Sequence, residues 1–162
     1  MSLVGLLAER AKVMANVYCQ VAGSKQMMLF PPTDVAHLSF APGASSSSMD
    51  VWESLSSPAM SVTHPYEATL SPGEVLFIPR LWPHAARPSA RSSVAVNVFF
   101  RDLVGASYSA GRDVYGNRDL AVYERGRQDI ARIAKSFAGL PPDVRVFYGK
   151  RLVDELLEAA LL

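Results

Sequence analysis

Gly73-Glu74-Val75-Leu76-Phe77-Ile78-Pro79-Arg80-Leu81-Trp82-Pro83-His84 is the stretch whose reading decides the fold. Pro72-Gly73 signals a turn, and Val75 to Ile78 is an apolar run of strand length. Pro79 ends the ladder because it has no N–H to donate. A further strand is expected from about Pro83 to Ala86, and another from Ser93 to Phe99. His84 then stands on a hairpin, with Asn97 thirteen residues beyond it on the adjoining strand. The chemistry of this stretch leaves His84 two roles, a hydrogen-bonded rim residue or a metal ligand.

Working outward, the 162 residues make one domain's worth of chain, enough to bury a real core. No run approaches the ~18 apolar residues that a membrane span needs. Met1 to Leu7 lacks the basic start and small-residue cleavage site of a secretory signal, so a soluble, cytoplasmic protein is expected. The single Cys19 excludes a disulfide framework and a cysteine-based zinc site. Net charge is only +1, but thirteen of the sixteen Lys and Arg fall between Arg80 and Arg151, against six acids, a local balance of +7. A basic second half points to a polyanion partner or to solvated helix faces.

Residues 1 to 12 are expected to be helical, with Leu3, Leu6 and Leu7 at helical spacing. β-Branched and aromatic residues then mark strands at 16–22 and 25–30, joined by a Gly23-Ser24 turn. Thr33 is placed to cap a short helical turn, with Asp34 near its start. Residues 41 to 61 are Ser- and Pro-rich and are expected to form a long, mobile surface loop. Strands follow at 65–70, 74–79, 83–87 and 93–100, six in all with the first hairpin. Two amphipathic helices, Leu120 to Ala138 and Pro141 to about Ala160, end the chain, with Gly139 at the position of a C′ glycine. Such an apolar pair would cap the barrel or pair with a second subunit.

Gly73-x5-Pro79-x4-His84 resembles the second signature of cupin barrels, in which a hairpin points one imidazole into the barrel mouth. Together with Asn16, Gly23-Ser24-Lys25 and Asn97, the pattern is similar to that of the JmjC branch of the cupin superfamily, mostly iron(II) and 2-oxoglutarate dependent oxygenases. The segments Val13-Met-Ala-Asn-Val-Tyr-Cys-Gln-Val-Ala-Gly-Ser-Lys25, Asp113-Val-Tyr-Gly-Asn-Arg-Asp-Leu120 and Leu140-Pro-Pro-Asp-Val-Arg-Val-Phe-Tyr-Gly-Lys-Arg-Leu152 narrow it further. They resemble the JmjC proteins of wybutosine biosynthesis over about residues 13 to 155, some of which are domains of a larger methyltransferase-like enzyme.

The resemblance implies an incomplete double-stranded β-helix lacking its first strands, mainly β with C-terminal helices. The implied domains are a non-family segment 1–12, a JmjC/cupin barrel portion 13–103 and a helical extension 104–162. It implies that Lys25 pairs with the distal carboxylate of 2-oxoglutarate, that Asn16 and Asn97 hold its other end, and that His84 is a metal ligand. It implies a tRNA partner, at the anticodon region of phenylalanine tRNA, and an optional upstream methyltransferase, while the apolar C-terminal helices themselves raise the expectation of a homodimer. Family oxygenases carry a His-x-Asp or His-x-Glu pair whose positions, counted back from Asn16, fall here at Arg10 and Lys12. Two cations cannot bind iron(II). His37 reads as a surface residue, and His64-x-x-Glu67 as a weak metal candidate. The expectation is therefore a tRNA-modification domain without catalysis as it stands, with a working oxygenase and a tRNA-binding or dimerisation module as alternatives.

Overall fold

A computed structural model of the chain describes residues 7–10, 14–41, 43–44, 46–89, 91–100 and 121–161, with backbone alone at 7–10 and 161. Among the described residues seven antiparallel strands form two sheets. β1 (Leu7–Arg10), β6 (His84–Pro88), β3 (Lys25–Leu29) and β4 (Tyr66–Leu70) lie side by side in that order. β5 (Val75–Ile78), β2 (Ala15–Ala22) and β7 (Val94–Phe100) make the second sheet. Tyr18 and Ile78 of the three-stranded sheet pack with Met27, Leu29, Leu70 and Ala86 of the four-stranded one, so this core lies between the sheets. It is the cupin arrangement expected from the sequence, and the six expected strands are all present.

The alternation of β2 is inverted relative to an ordinary half-buried strand. Asn16, Tyr18 and Gln20 are buried on the inner face, while Val21 is exposed on the outer one. On the same outer face Val75, Phe77, Val96 and Val98 are also exposed among the described residues. Polar groups therefore point into the cup, which is where a sequence departs from packing logic when a site must be built.

Leu7–Arg10 is a strand, which corrects the helix expected over residues 1–12 at these four positions. The reason is non-local. The edge of β6 offers unpaired backbone groups, with Leu7 opposite Ala86 and Arg10 opposite His84, and ladder bonds outweigh a helix preference that Gly5 already weakens. The rest of that segment, and the 101–120 stretch with its Asp-Val-Tyr-Gly-Asn-Arg-Asp motif, lie outside the described residues.

The Ser-rich segment is also not the mobile loop expected of it. It folds over the outer face of the four-stranded sheet, where Val51 and Met60 are buried against Met28, Phe30, Leu38 and Ala85. Burying each such side chain is worth about 1.5–3 kcal/mol, enough to fix a segment that has little regular structure. Asp50 starts the short helix α1 (Val51–Ser54), its carboxylate accepting from the Trp52 and Glu53 N–H groups at 2.9 and 3.3 Å. Ser47 accepts from Met49 N–H at 3.0 Å.

Thr33 does not cap the 3-10 turn Pro32–His37; its hydroxyl instead donates to Asp34 Oδ1 at 3.4 Å. Asp34 is 2% exposed and accepts from the backbone N–H of His64 at 2.6 Å, with the His64 ring 3.2 Å away. Burial alone would raise its pKa. The His64 backbone, the His64 ring and the Thr33 hydroxyl outweigh that, and the net direction is down. Asp34 thus clamps the chain entering β4.

Residues Tyr123–Leu162 form a separate compact unit containing most of α2 (Ala121–Ser136) and all of α3 (Pro142–Leu161). These are the two helices expected. Gly139 is not in the left-handed region, so the expected glycine cap is absent. The turn closes instead through Ala138 N–H to Lys135 and Leu140 N–H to Phe137. Val146, Phe147, Leu156 and Leu157 of α3 are exposed. No helix among the described residues is long and apolar enough to cross a membrane.

Candidate functional site

The cup is built from β2 outward. Residues i and i+2 of a strand share a face, so Asn16 and Tyr18 stand together, and β7 brings Asn97 directly opposite Tyr18. Asn16 Nδ2 donates to Asn97 Oδ1 at 3.0 Å across that diagonal, joining the two asparagines singled out in the sequence. Asn16 Oδ1 and the Tyr18 hydroxyl are buried and have no hydrogen-bond partner among the described residues. A buried polar atom left in that state costs about 1–3 kcal/mol. The oxygen and nitrogen of an amide are isosteric. Reversing both amides lets Asn97 donate to Asn16 and turns the second Asn16 position into an N–H donor.

Lys25 reaches the same place from the other sheet. Its ammonium nitrogen lies 5.5 Å from the centroid of the Tyr18 ring. The turn before it is closely determined: Gly23 takes φ +67°, and Gln20 Nε2 lies 2.7 Å from the Ala22 carbonyl, 3.1 Å from that of Gly23 and 2.9 Å from Ser93 Oγ. Ser89 bonds Ser24 through its N–H at 3.1 Å and its hydroxyl at 2.9 Å. The turn therefore fixes the backbone from which the Lys25 side chain starts.

His84 opposes Leu29 in the register of β6 and β3, and Lys25 opposes Pro88. The two residues therefore share the inner face of the four-stranded sheet, four residues or roughly 13 Å of strand apart. The chain passes through Leu81 at φ +62°, and His84 Nδ1 donates to the Trp82 carbonyl at 3.0 Å. That bond orients the ring through one nitrogen, as the outer nitrogen of a metal-binding imidazole is ordinarily held.

The rest of an iron centre does not fit. A facial triad takes two imidazoles and a carboxylate, and the chain has only three histidines. His37 is exposed at the end of the 3-10 turn, and His64 is 72% exposed and paired with Asp34. Glu67 is exposed, and no group of three or more His, Cys, Asp or Glu among the described residues could hold a metal. The register partner of His84 on β1 is Arg10, while Lys12 lies outside the described residues. By contrast an ammonium from one sheet facing a phenol and an amide from the other does fit an organic carboxylate.

The sequence reading singled out Asn16, Lys25, His84 and Asn97 but not Tyr18, which the structure places beside Lys25 and Asn97. The signal was present, since Tyr18 is two residues after Asn16 in a strand and so shares its face, but an aromatic there reads as ordinary core.

Residues 10–105 match a family profile described as a cupin-like domain. The chain is 62% identical over 154 residues to tRNA wybutosine-synthesizing protein 4 of Neurospora crassa, covering 91% of this chain and 13% of that protein. It is 64% identical over 145 residues to the protein of that name from Gibberella zeae, covering 90% and 14%. To human tRNA wybutosine-synthesizing protein 5 it is 36% identical over 150 residues, covering 91% and 47%. The chain thus spans under a sixth of the first kind of relative and about half of the second. With two sheets closed on a polar-faced cup and a profile match over most of that region, the chain belongs to the cupin-like JmjC domain family, among homologues named for wybutosine synthesis.

Proposed function

We propose that this chain is a carboxylate-binding JmjC-type domain of tRNA wybutosine biosynthesis that does not complete an iron centre from its own residues. Lys25 holds the distal carboxylate of 2-oxoglutarate, and Asn16 and Asn97 hold its other end. The observation that carries the reading is that Asn16, Asn97 and Tyr18 on one sheet face Lys25, 5.5 Å from the Tyr18 ring, on the other, with His84 as the imidazole on that second inner face. Iron(II) bound with 2-oxoglutarate would supply oxygen activation in a family oxygenase, with His84 as its surviving ligand here. The Nδ1 bond that orients the ring supports that alternative as far as one ligand can.

The partner is tRNA, at the anticodon region of phenylalanine tRNA, approached through the basic second half. Arg125, Arg127, Lys135, Arg145, Lys150 and Arg151 are exposed on α2 and α3, and phosphate contacts supply most nucleic-acid affinity. The exposed apolar residues of α3 support a homodimer through the C-terminal helices. Within a longer polypeptide of the protein 4 kind, a methyltransferase domain would lie upstream. The setting is cytoplasmic.

Incubation with iron(II), 2-oxoglutarate and tRNA tests the reading. Succinate should stay at the protein-free level, while tRNA affinity falls roughly tenfold between 50 and 200 mM salt. Iron-dependent succinate release coupled to tRNA oxidation would establish the oxygenase instead, and salt-independent or absent tRNA binding would remove the tRNA partner.

A further inference from the structure

We infer that Tyr18 is the residue that selects a carboxylate in this cup, and that the selection needs no metal. The inference rests on the 2-oxoglutarate reading above and extends it to a residue and a ligand class. The hydrophobic residues packed with Tyr18 in the core are Met27, Leu29, Leu70, Ile78 and Ala86. Phenylalanine would complete that wall. The hydroxyl instead sits in a side chain 5% exposed with no partner among the described residues, whereas buried tyrosine hydroxyls ordinarily have one.

Its surroundings specify what is missing. Lys25 Nζ is 5.5 Å from the ring, Asn97 is its register partner, and Asn16 stands two residues away on the same face. The phenol O–H, the ammonium and an amide N–H are all donors, and together they suit the oxygens of a carboxylate. Gln20, the third orphaned group on β2, is a different case, because its amide nitrogen is already engaged in holding the turn and Ser93.

The ligand class follows from the metal ligands. In a loaded oxygenase the 2-oxo group and its neighbouring carboxylate gain affinity by chelation, and here a single imidazole cannot hold the metal they would chelate. The 2-oxo group then adds little, and the cup accepts small dicarboxylates, glutarate as well as 2-oxoglutarate.

Calorimetric titration of the full chain in EDTA tests this. Wild type should bind 2-oxoglutarate and glutarate with Kd values within about threefold of each other, and Y18F should weaken both about tenfold, as loss of a hydrogen bond to a charged group does. Y18F should melt no earlier than wild type, because it removes an unpartnered buried hydroxyl. Should it melt early, Y18L carries the same comparison. If Y18F binds as wild type does, Tyr18 has no such role and the 2-oxoglutarate reading survives it. Glutarate bound more than thirtyfold more weakly than 2-oxoglutarate would overturn metal-free selection. Wild type silent toward both acids would end the underlying reading, and the inference with it.

Discussion

Gly23→Ala is expected to lower the melting temperature by roughly 10 °C, about twice the effect of Gly73→Ala. Both glycines have positive φ, +67° and +90°, so both substitutions incur the left-handed penalty of about 1–2 kcal/mol. They differ in space. A Cβ at Gly73 meets nothing within 4 Å, whereas at Gly23 it would lie 1.9 Å from the carbonyl oxygen of Ser92. That oxygen belongs to backbone entering β7, so relief requires the turn and the strand to separate. The Gln20 bonds to Ala22, Gly23 and Ser93 would then be strained together. A total near 3–4 kcal/mol is the scale of the large single-residue effects, and for a chain of this size each kcal/mol is worth about 2–4 °C. Thermal melts of the two variants side by side isolate the steric part, and equal shifts would show that the turn is not held against β7 as described.

Lys25→Met is expected to weaken 2-oxoglutarate binding by about 30- to 100-fold while changing stability little. A hydrogen bond to a charged group is worth about 1.5–3 kcal/mol, and a half-buried ammonium at a fixed turn lies in the upper part of that range. Folding loses only the contact with the Tyr18 ring, about 0.5–1 kcal/mol at a partly exposed site. The check is calorimetry with a parallel melt. A Kd within threefold of wild type would mean that another cation holds the acid.

Much of the fold was legible because its signals are local. Pro31, Pro79, Gly23 and Gly73 punctuate runs of β-branched and aromatic residues, and the six strands lie within about a residue or two of where those marks put them. What was not legible depends on distant partners. Leu7–Arg10 becomes a strand only because β6 offers an edge. Val51 and Met60 are isolated apolar residues in a serine-rich stretch, and nothing local reveals that Met28 and Phe30 present a surface for them. Asp34 read as a helix-start residue, and its bond to His64 spans thirty positions.

The site divides in the same way. Lys25 and the asparagine pair were singled out because polar residues inside strands or just after a tight turn need a reason, and Asn16 does bond Asn97. Tyr18 was hidden by its chemistry, since an aromatic on an inner face satisfies packing whether or not its hydroxyl is used. The proposal about metal leans on composition: of the three histidines, His37 is exposed and His64 pairs with Asp34, which leaves His84 without a second imidazole for a facial triad.

On the proposed function, the cup binds an organic acid but not a catalytic metal. Titration of manganese(II), the usual spectroscopic stand-in for iron(II), into the 2-oxoglutarate-saturated protein followed by electron paramagnetic resonance tests it most directly. The signal of the hydrated ion should persist undiminished at equimolar protein; loss of that signal with one-to-one stoichiometry would contradict the account.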